Sequence, residues 1–79
     1  MTQEYILNEL KTMLSQIKSD IDTESLTLES RLIEDMGLDS LTILLLSFAI
    51  EKRFKIRISA APNFTTIQEV VDYIQIAAE

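Results

Sequence analysis

Cysteine and histidine are both absent from the 79 residues of this chain. Without cysteine there are no disulfides and no thiolate metal sites. Without histidine the commonest general base and metal ligand is missing. Cations are scarce: seven Lys and Arg stand against thirteen Asp and Glu, for a net charge of −6. That balance argues against a nucleic-acid partner, whose phosphates need a basic surface. Long apolar runs are also missing. The longest, Leu41 to Ile50, falls far short of the ~20 residues that span a bilayer. The N-terminus carries no basic, apolar, small-residue signal pattern. The expectation is a soluble, cytoplasmic protein without membrane insertion. Seventy-nine residues allow one domain, 1–79, with one small core. With 47% hydrophobic residues, a folded monomer needs no staples.

What is present reads as helices joined by loops. Ile6, Leu10, Met13, Leu14 and Ile17 recur at three- and four-residue steps. They form one face of an amphipathic helix over roughly residues 3–18, with Thr2 as N-cap. The segment Ser19 to Asp39 breaks the pattern. It holds seven acids and one base, Arg31. Leu26, Leu28, Leu32, Ile33 and Met36 punctuate it, so it should pack across the helices. A second helix is predicted from about Ser40 to Phe54, with Asp39 as N-cap and Lys52 and Arg53 in the last turn. Lys55 to Thr65 reads as a loop, with a short helical turn around Ser59 to Asn63 limited by Pro62. Thr66-Ile67-Gln68-Glu69 is a capping-box pattern. It opens a last helix whose stripe is Ile67, Val70, Val71, Ile74 and Ala78. The fold class is all-α, a small bundle of three to four helices with a short or irregular third one.

The only glycine, Gly37, lies in Gly37-Leu38-Asp39-Ser40-Leu41. Gly37 supplies a turn that suits φ > 0. Leu38 can anchor that turn in the core. Ser40 then sits in the first turn of the second helix, where free backbone N–H groups and the helix dipole favour negative charge. A phosphodiester on Ser40 would be accommodated there. The plainer reading is that Asp39 and Ser40 only begin a helix, where such residues are common. A hydrolase with Ser40 as nucleophile needs a base within reach. No histidine supplies one, and Gly-x-Ser-x-Gly is not matched.

Leu32-Ile33-Glu34-Asp35-Met36-Gly37-Leu38-Asp39-Ser40-Leu41 resembles the signature of acyl carrier proteins. The likeness spans nearly the whole chain. It includes the amphipathic first helix, the acidic loop, the long second helix, and the last helix in Phe64 to Ile74. The resemblance implies that a phosphopantetheinyl transferase moves 4′-phosphopantetheine from coenzyme A onto Ser40. Asp39 would help to present the serine, within the turn made by Gly37 and Leu38. The arm's thiol would then carry acyl groups as thioesters. Acyl-loading enzymes, ketosynthases or other acyl-processing enzymes would be the partners, in fatty acid, polyketide or related synthesis. The carrier itself would not be an enzyme. A peptidyl or aryl carrier is the nearest alternative. Asp39 argues for acyl, because those carriers more often replace that acid. An unmodified helical adaptor is the other alternative.

Three features depart from the family's usual pattern. The second helix shows no acid from Leu41 until Glu51. Ile43, Leu46, Ile50 and Phe54 fit the core, leaving Leu41, Leu44, Leu45 and Phe48 as a second apolar stripe. That stripe is either a partner-docking face or is covered by the long loop. Residues 51–57 contain Lys52, Arg53, Lys55 and Arg57 against one acid, Glu51. This is either an ordinary cationic helix end or a changed partner code. The link from Ile58 to Phe64 is short. Together the three suggest a specialised pathway. Ile43, Leu46, Ser47, Ile50, Ile58, Phe64, Ile67 and Val71 could line a space for the acyl chain, or simply form core.

Overall fold

A computed structural model describes residues 1–58 and 64–78 of the chain. It contains α1 (Gln3–Ile17), α2 (Ser40–Phe54) and α3 (Ile67–Ala77), plus one 3-10 turn at Thr23–Ser25. The all-α expectation holds, and α1 packs against both other helices. The minor helical turn expected around residues 59–63 lies outside the described residues. Among the described residues, no helix is long and apolar enough to cross a membrane.

Each helix starts where its cap dictates. Thr2 accepts the Tyr5 N–H at 3.1 Å. At α3 the capping box is complete: Thr66 accepts from the Glu69 N–H, and the Glu69 carboxylate accepts from the Thr66 N–H. The next two free donors of α3 are taken by the acidic loop. Ile67 N–H bonds the Ser30 carbonyl at 3.0 Å, and Gln68 N–H bonds the Leu28 carbonyl at 2.8 Å. Leu32 N–H returns a bond to the Thr65 carbonyl at 2.9 Å. A helix start must place its unpaired N–H groups somewhere. Here they fasten the loop across the bundle.

The core takes its members from all three helices. Ile6, Leu10, Met13 and Leu14 come from α1, Leu46 and Ile50 from α2, and Ile67, Val70, Val71 and Ile74 from α3. Leu26, Leu32 and Leu38 from the long loop are buried with them. Burial of such a side chain stabilises by about 1.5–3 kcal/mol. The loop is therefore a structural layer. Ile33 is the exception among its apolar residues, being exposed. It falls on the outer side of the turn, beside Phe64 in a surface cleft of about 150 Å³.

Helix α2 ends at Lys55, which adopts the left-handed conformation at φ 56°. Its N–H bonds the Glu51 carbonyl, and the Ile58 N–H bonds the Glu51 carboxylate at 2.8 Å. These bonds turn the chain away from the helix, and residues 56–58 form no strand. The Tyr73 hydroxyl donates to the Arg57 carbonyl at 2.8 Å and stacks edge-on with Phe64. Arg57 and Phe64 are thus both held to α3. On the opposite side, Arg53 reaches α1, where it pairs with Glu9 and bonds the Tyr5 hydroxyl.

Candidate functional site

The turn before α2 is wound by its own backbone. Asp35 and Met36 N–H groups both bond the Arg31 carbonyl, at 3.0 and 3.1 Å. Gly37 N–H bonds the Ile33 carbonyl at 3.1 Å, and Leu38 N–H bonds the Leu32 carbonyl at 3.0 Å. Arg31 grips the same turn from outside. Its guanidinium makes two bonds to Asp35, at 3.1 and 3.0 Å, and pairs with Glu34. Asp35 also accepts the Arg31 backbone N–H at 2.9 Å.

Gly37 closes this turn at φ +70°. A Cβ there would meet nothing within 4 Å. The need for glycine is therefore conformational, not steric. Gly37→Ala is expected to lower unfolding free energy by about 1–2 kcal/mol, the strain of a left-handed L-residue. Urea denaturation of the two proteins checks this. An unchanged midpoint would show that the turn relaxes freely.

Leu38 is buried at the far side of the turn, which sends Asp39 and Ser40 outward. Asp39 caps α2. The Thr42 N–H and the Thr42 hydroxyl both donate to its Oδ1, each at 2.8 Å. These two bonds, the backbone one first, hold the Asp39 carboxyl below the usual aspartate range. The Arg31 guanidinium, and then its backbone N–H, do the same for Asp35. Both groups therefore favour the folded state when ionised. Their stabilisation is complete above the ordinary aspartate value of about 3.9 and is lost as pH falls through the lowered folded values. Denaturation midpoints should fall when pH is lowered from about 5 to 3. An Asp35→Asn/Asp39→Asn protein should show a shallower fall over that window. Parallel curves would contradict this assignment.

Ser40 is the first residue of α2, and it is exposed. Among the described residues, its hydroxyl and the N–H groups of Ser40 and Leu41 have no hydrogen-bond partner. The Asp39 carboxylate is committed to Thr42. An open hydroxyl beside free helical N–H donors suits a phosphodiester. The residues present therefore fit a phosphopantetheine group.

The other predicted residues divide cleanly by burial. Leu41, Leu44, Leu45 and Phe48 are 64%, 43%, 46% and 56% exposed. The long loop leaves this stripe uncovered. Leu46, Ile50, Ile67 and Val71 are core, and Ile43, Ile58 and Phe64 pack half-buried against it. Ser47 is buried, its hydroxyl donating to the Ile43 carbonyl at 2.9 Å. Of these pocket candidates, only Phe64 lines either described surface cleft.

Two further residues position the site. Thr42 fixes the cap, and its signal was its place three residues after Asp39, where cap bonds land. Arg31 braces the turn, and its signal was the opposite charge four residues on, at Asp35.

Comparison with known proteins agrees with this geometry. The family described as "Phosphopantetheine attachment site" matches residues 8–74. An acyl carrier protein of Phytoplasma australiense is 42% identical over 72 residues, covering 89% of this chain and 93% of its own length. One from Aster yellows witches'-broom phytoplasma is 44% identical over 71 residues, covering 87% of this chain and 92% of its own. One from Campylobacter concisus is 42% identical over 57 residues, covering 70% and 74%. With its cap, turn and open serine in place, the chain belongs to the acyl carrier protein family, whose members carry a phosphopantetheine attachment site.

Proposed function

We propose that residues 1–79 act as one carrier domain and that Ser40 is the point where 4′-phosphopantetheine is joined. The observation that carries this is the exposed Ser40 hydroxyl on the first residue of α2, with unpartnered N–H donors beside it. The free N–H groups of Ser40 and Leu41 would bind the phosphodiester oxygens. Asp39, held by Thr42, keeps the helix start rigid and the serine outward. Leu38 and Gly37 fix the turn beneath. When bound, the group supplies a thiol that holds an acyl chain as a thioester.

In forming the attachment, the Ser40 oxygen gains a bond to the pantetheine phosphate. The pyrophosphate link of coenzyme A breaks, and the adenosine portion leaves with its own phosphate. The serine proton passes to a base on the transferase; the Asp39 carboxylate beside it already accepts both Thr42 donors. The domain is thus a substrate of a phosphopantetheinyl transferase and not itself a catalyst. It works in the cytoplasm, presenting acyl intermediates to loading enzymes, ketosynthases or other acyl-processing enzymes in turn.

Leu41, Leu44, Leu45 and Phe48 form the surface on which those enzymes dock. Four large apolar side chains exposed on one helical face favour a partner over water. The acyl chain has its nearest apolar shelter among Ile43, Leu46, Ser47, Ile50, Ile58, Phe64, Ile67 and Val71. The apolar α2 and its cationic end favour a specialised acyl pathway. The test is intact-mass measurement after incubation with coenzyme A and a broad-specificity transferase. Addition of a single phosphopantetheine is expected. An unchanged mass would favour an unmodified helical adaptor.

A further inference from the structure

One peptide unit is held by α2 on one side and by α3 on the other. The Ile58 N–H donates to the Glu51 carboxylate of α2 at 2.8 Å, and the Arg57 carbonyl accepts from the Tyr73 hydroxyl of α3 at 2.8 Å. These two groups belong to the same peptide bond, and in a trans peptide they point in opposite directions. Glu51 and Tyr73 therefore grip it from opposite sides. The place matters, because α1 packs on both other helices while α2 and α3 pack little on each other. Leu46 and Ile50 of α2 and Val71 and Ile74 of α3 are buried to 2% exposure or less. Ile58 and Phe64, half-buried, pack against that core. Phe64 also meets the Tyr73 ring edge-on at 5.7 Å.

We propose that Glu51 and Tyr73 are specificity-determining residues: by clasping the 57–58 peptide they keep α2 and α3 from parting, and so limit the acyl chain sheltered between them to a short one. The inference rests on the carrier reading above. It adds the class of cargo and the residues that select it.

Position and chemistry both favour a length limit. Glu51 stands about 16 Å from Ser40 along α2, at 1.5 Å per residue. Cargo that enters near Ser40 and runs down between the helices meets the clasp only when it is long. To go further it must displace Ile58, and moving Ile58 turns the peptide that is clasped. Both bonds then break together. The bonds also reinforce one another. A carboxylate acceptor makes the stronger, charge-assisted kind. Polarising a peptide at its N–H improves its carbonyl as an acceptor. The clasp thus yields as a unit. It stays closed over short cargo and opens for long cargo only when both bonds are lost.

The test begins with the protein before any arm is attached. In amide hydrogen exchange, Tyr73→Phe should speed exchange at Ile58 about fivefold, although it leaves the Glu51 carboxylate in place. Glu51→Ala should do the same. The double variant should fall short of the product of the two, because both act on one peptide. Tyr5→Phe removes a hydroxyl from the contact between α1 and α2 and serves as the control for general loosening. The transferase then charges each protein from a series running from butanoyl- to dodecanoyl-coenzyme A, and cleavage of each thioester by hydroxylamine is timed. The chain length at which shielding is lost should be greater in Tyr73→Phe than in the wild type. Thioesters beyond the wild-type limit should be cleaved about fivefold more slowly in the variant. Equal Ile58 exchange in wild type and Tyr73→Phe would overturn the clasp, as would one length limit common to both proteins or the same shift in Tyr5→Phe. If the transferase adds no group to the folded wild type, the carrier reading fails instead and the cargo limit falls with it.

Discussion

Ser40→Ala is expected to take up no phosphopantetheine while keeping its fold. The loss should be complete, because no other hydroxyl in α2 can replace it. Ser47 is buried, and its hydroxyl is spent on the Ile43 carbonyl. Thr42 is bound to Asp39. Stability should hardly change. Ser40 is exposed at the helix start, the capping role belongs to Asp39, and alanine is a good helix former. Surface substitutions of this kind usually stay within about 0.5 kcal/mol. Intact mass and a thermal melt, taken on the same preparation, check both halves. A variant that still gains the group would place the attachment elsewhere. A variant that fails to fold would leave Ser40 as a structural residue and contradict the open hydroxyl described above.

The second large effect belongs to Leu38. This side chain is 2% exposed and joins the turn to the core. Leu38→Ala removes three buried carbon atoms and leaves a space that its neighbours fill only in part. Such changes cost about 2–5 kcal/mol. In a domain of this size each kcal/mol lowers the melting temperature by about 4–8 °C. A fall of about 8 °C or more is therefore expected. The functional consequence follows from the geometry. Leu38 lies between Gly37, which reverses the chain, and Asp39, which caps α2. With the anchor gone, the transferase should modify Ser40 more slowly even well below the melting temperature. Differential scanning calorimetry and a modification time course at low temperature separate the two effects. A melt within 3 °C of wild type would show that the turn does not depend on the core.

Much of this arrangement could be read from the residues. The caps Thr2, Asp39 and Thr66 were legible because each is a short side chain placed just before an apolar period. The three helices were legible from that period itself. In α2 the division of the apolar residues into two stripes followed from helical spacing. Whether the loop would cover the second stripe did not. That depended on where residues 19–39 cross the bundle, and long-range bonds set this: Leu28 and Ser30 to the start of α3, and Leu32 to Thr65. Backbone hydrogen bonds between distant segments leave no pattern in side-chain identity. For the same reason Ile33 looked like a core residue of the loop and is exposed. The left-handed Lys55 was also hidden, since glycine is the usual signal there and the chain has none at that position. At the candidate site, Gly37, Leu38, Asp39 and Ser40 were visible from their order. The bracing by Arg31 and Thr42 became clear only with distances.

The function proposed for this domain depends on the Ser40 hydroxyl being the attachment point. The most direct measurement is peptide-level mass spectrometry of the wild type after incubation with coenzyme A and the transferase. One phosphopantetheine is expected, on the peptide containing Asp39-Ser40-Leu41 and localised to Ser40 by fragmentation. The group on any other residue, or a fully unmodified peptide from folded protein, would contradict it.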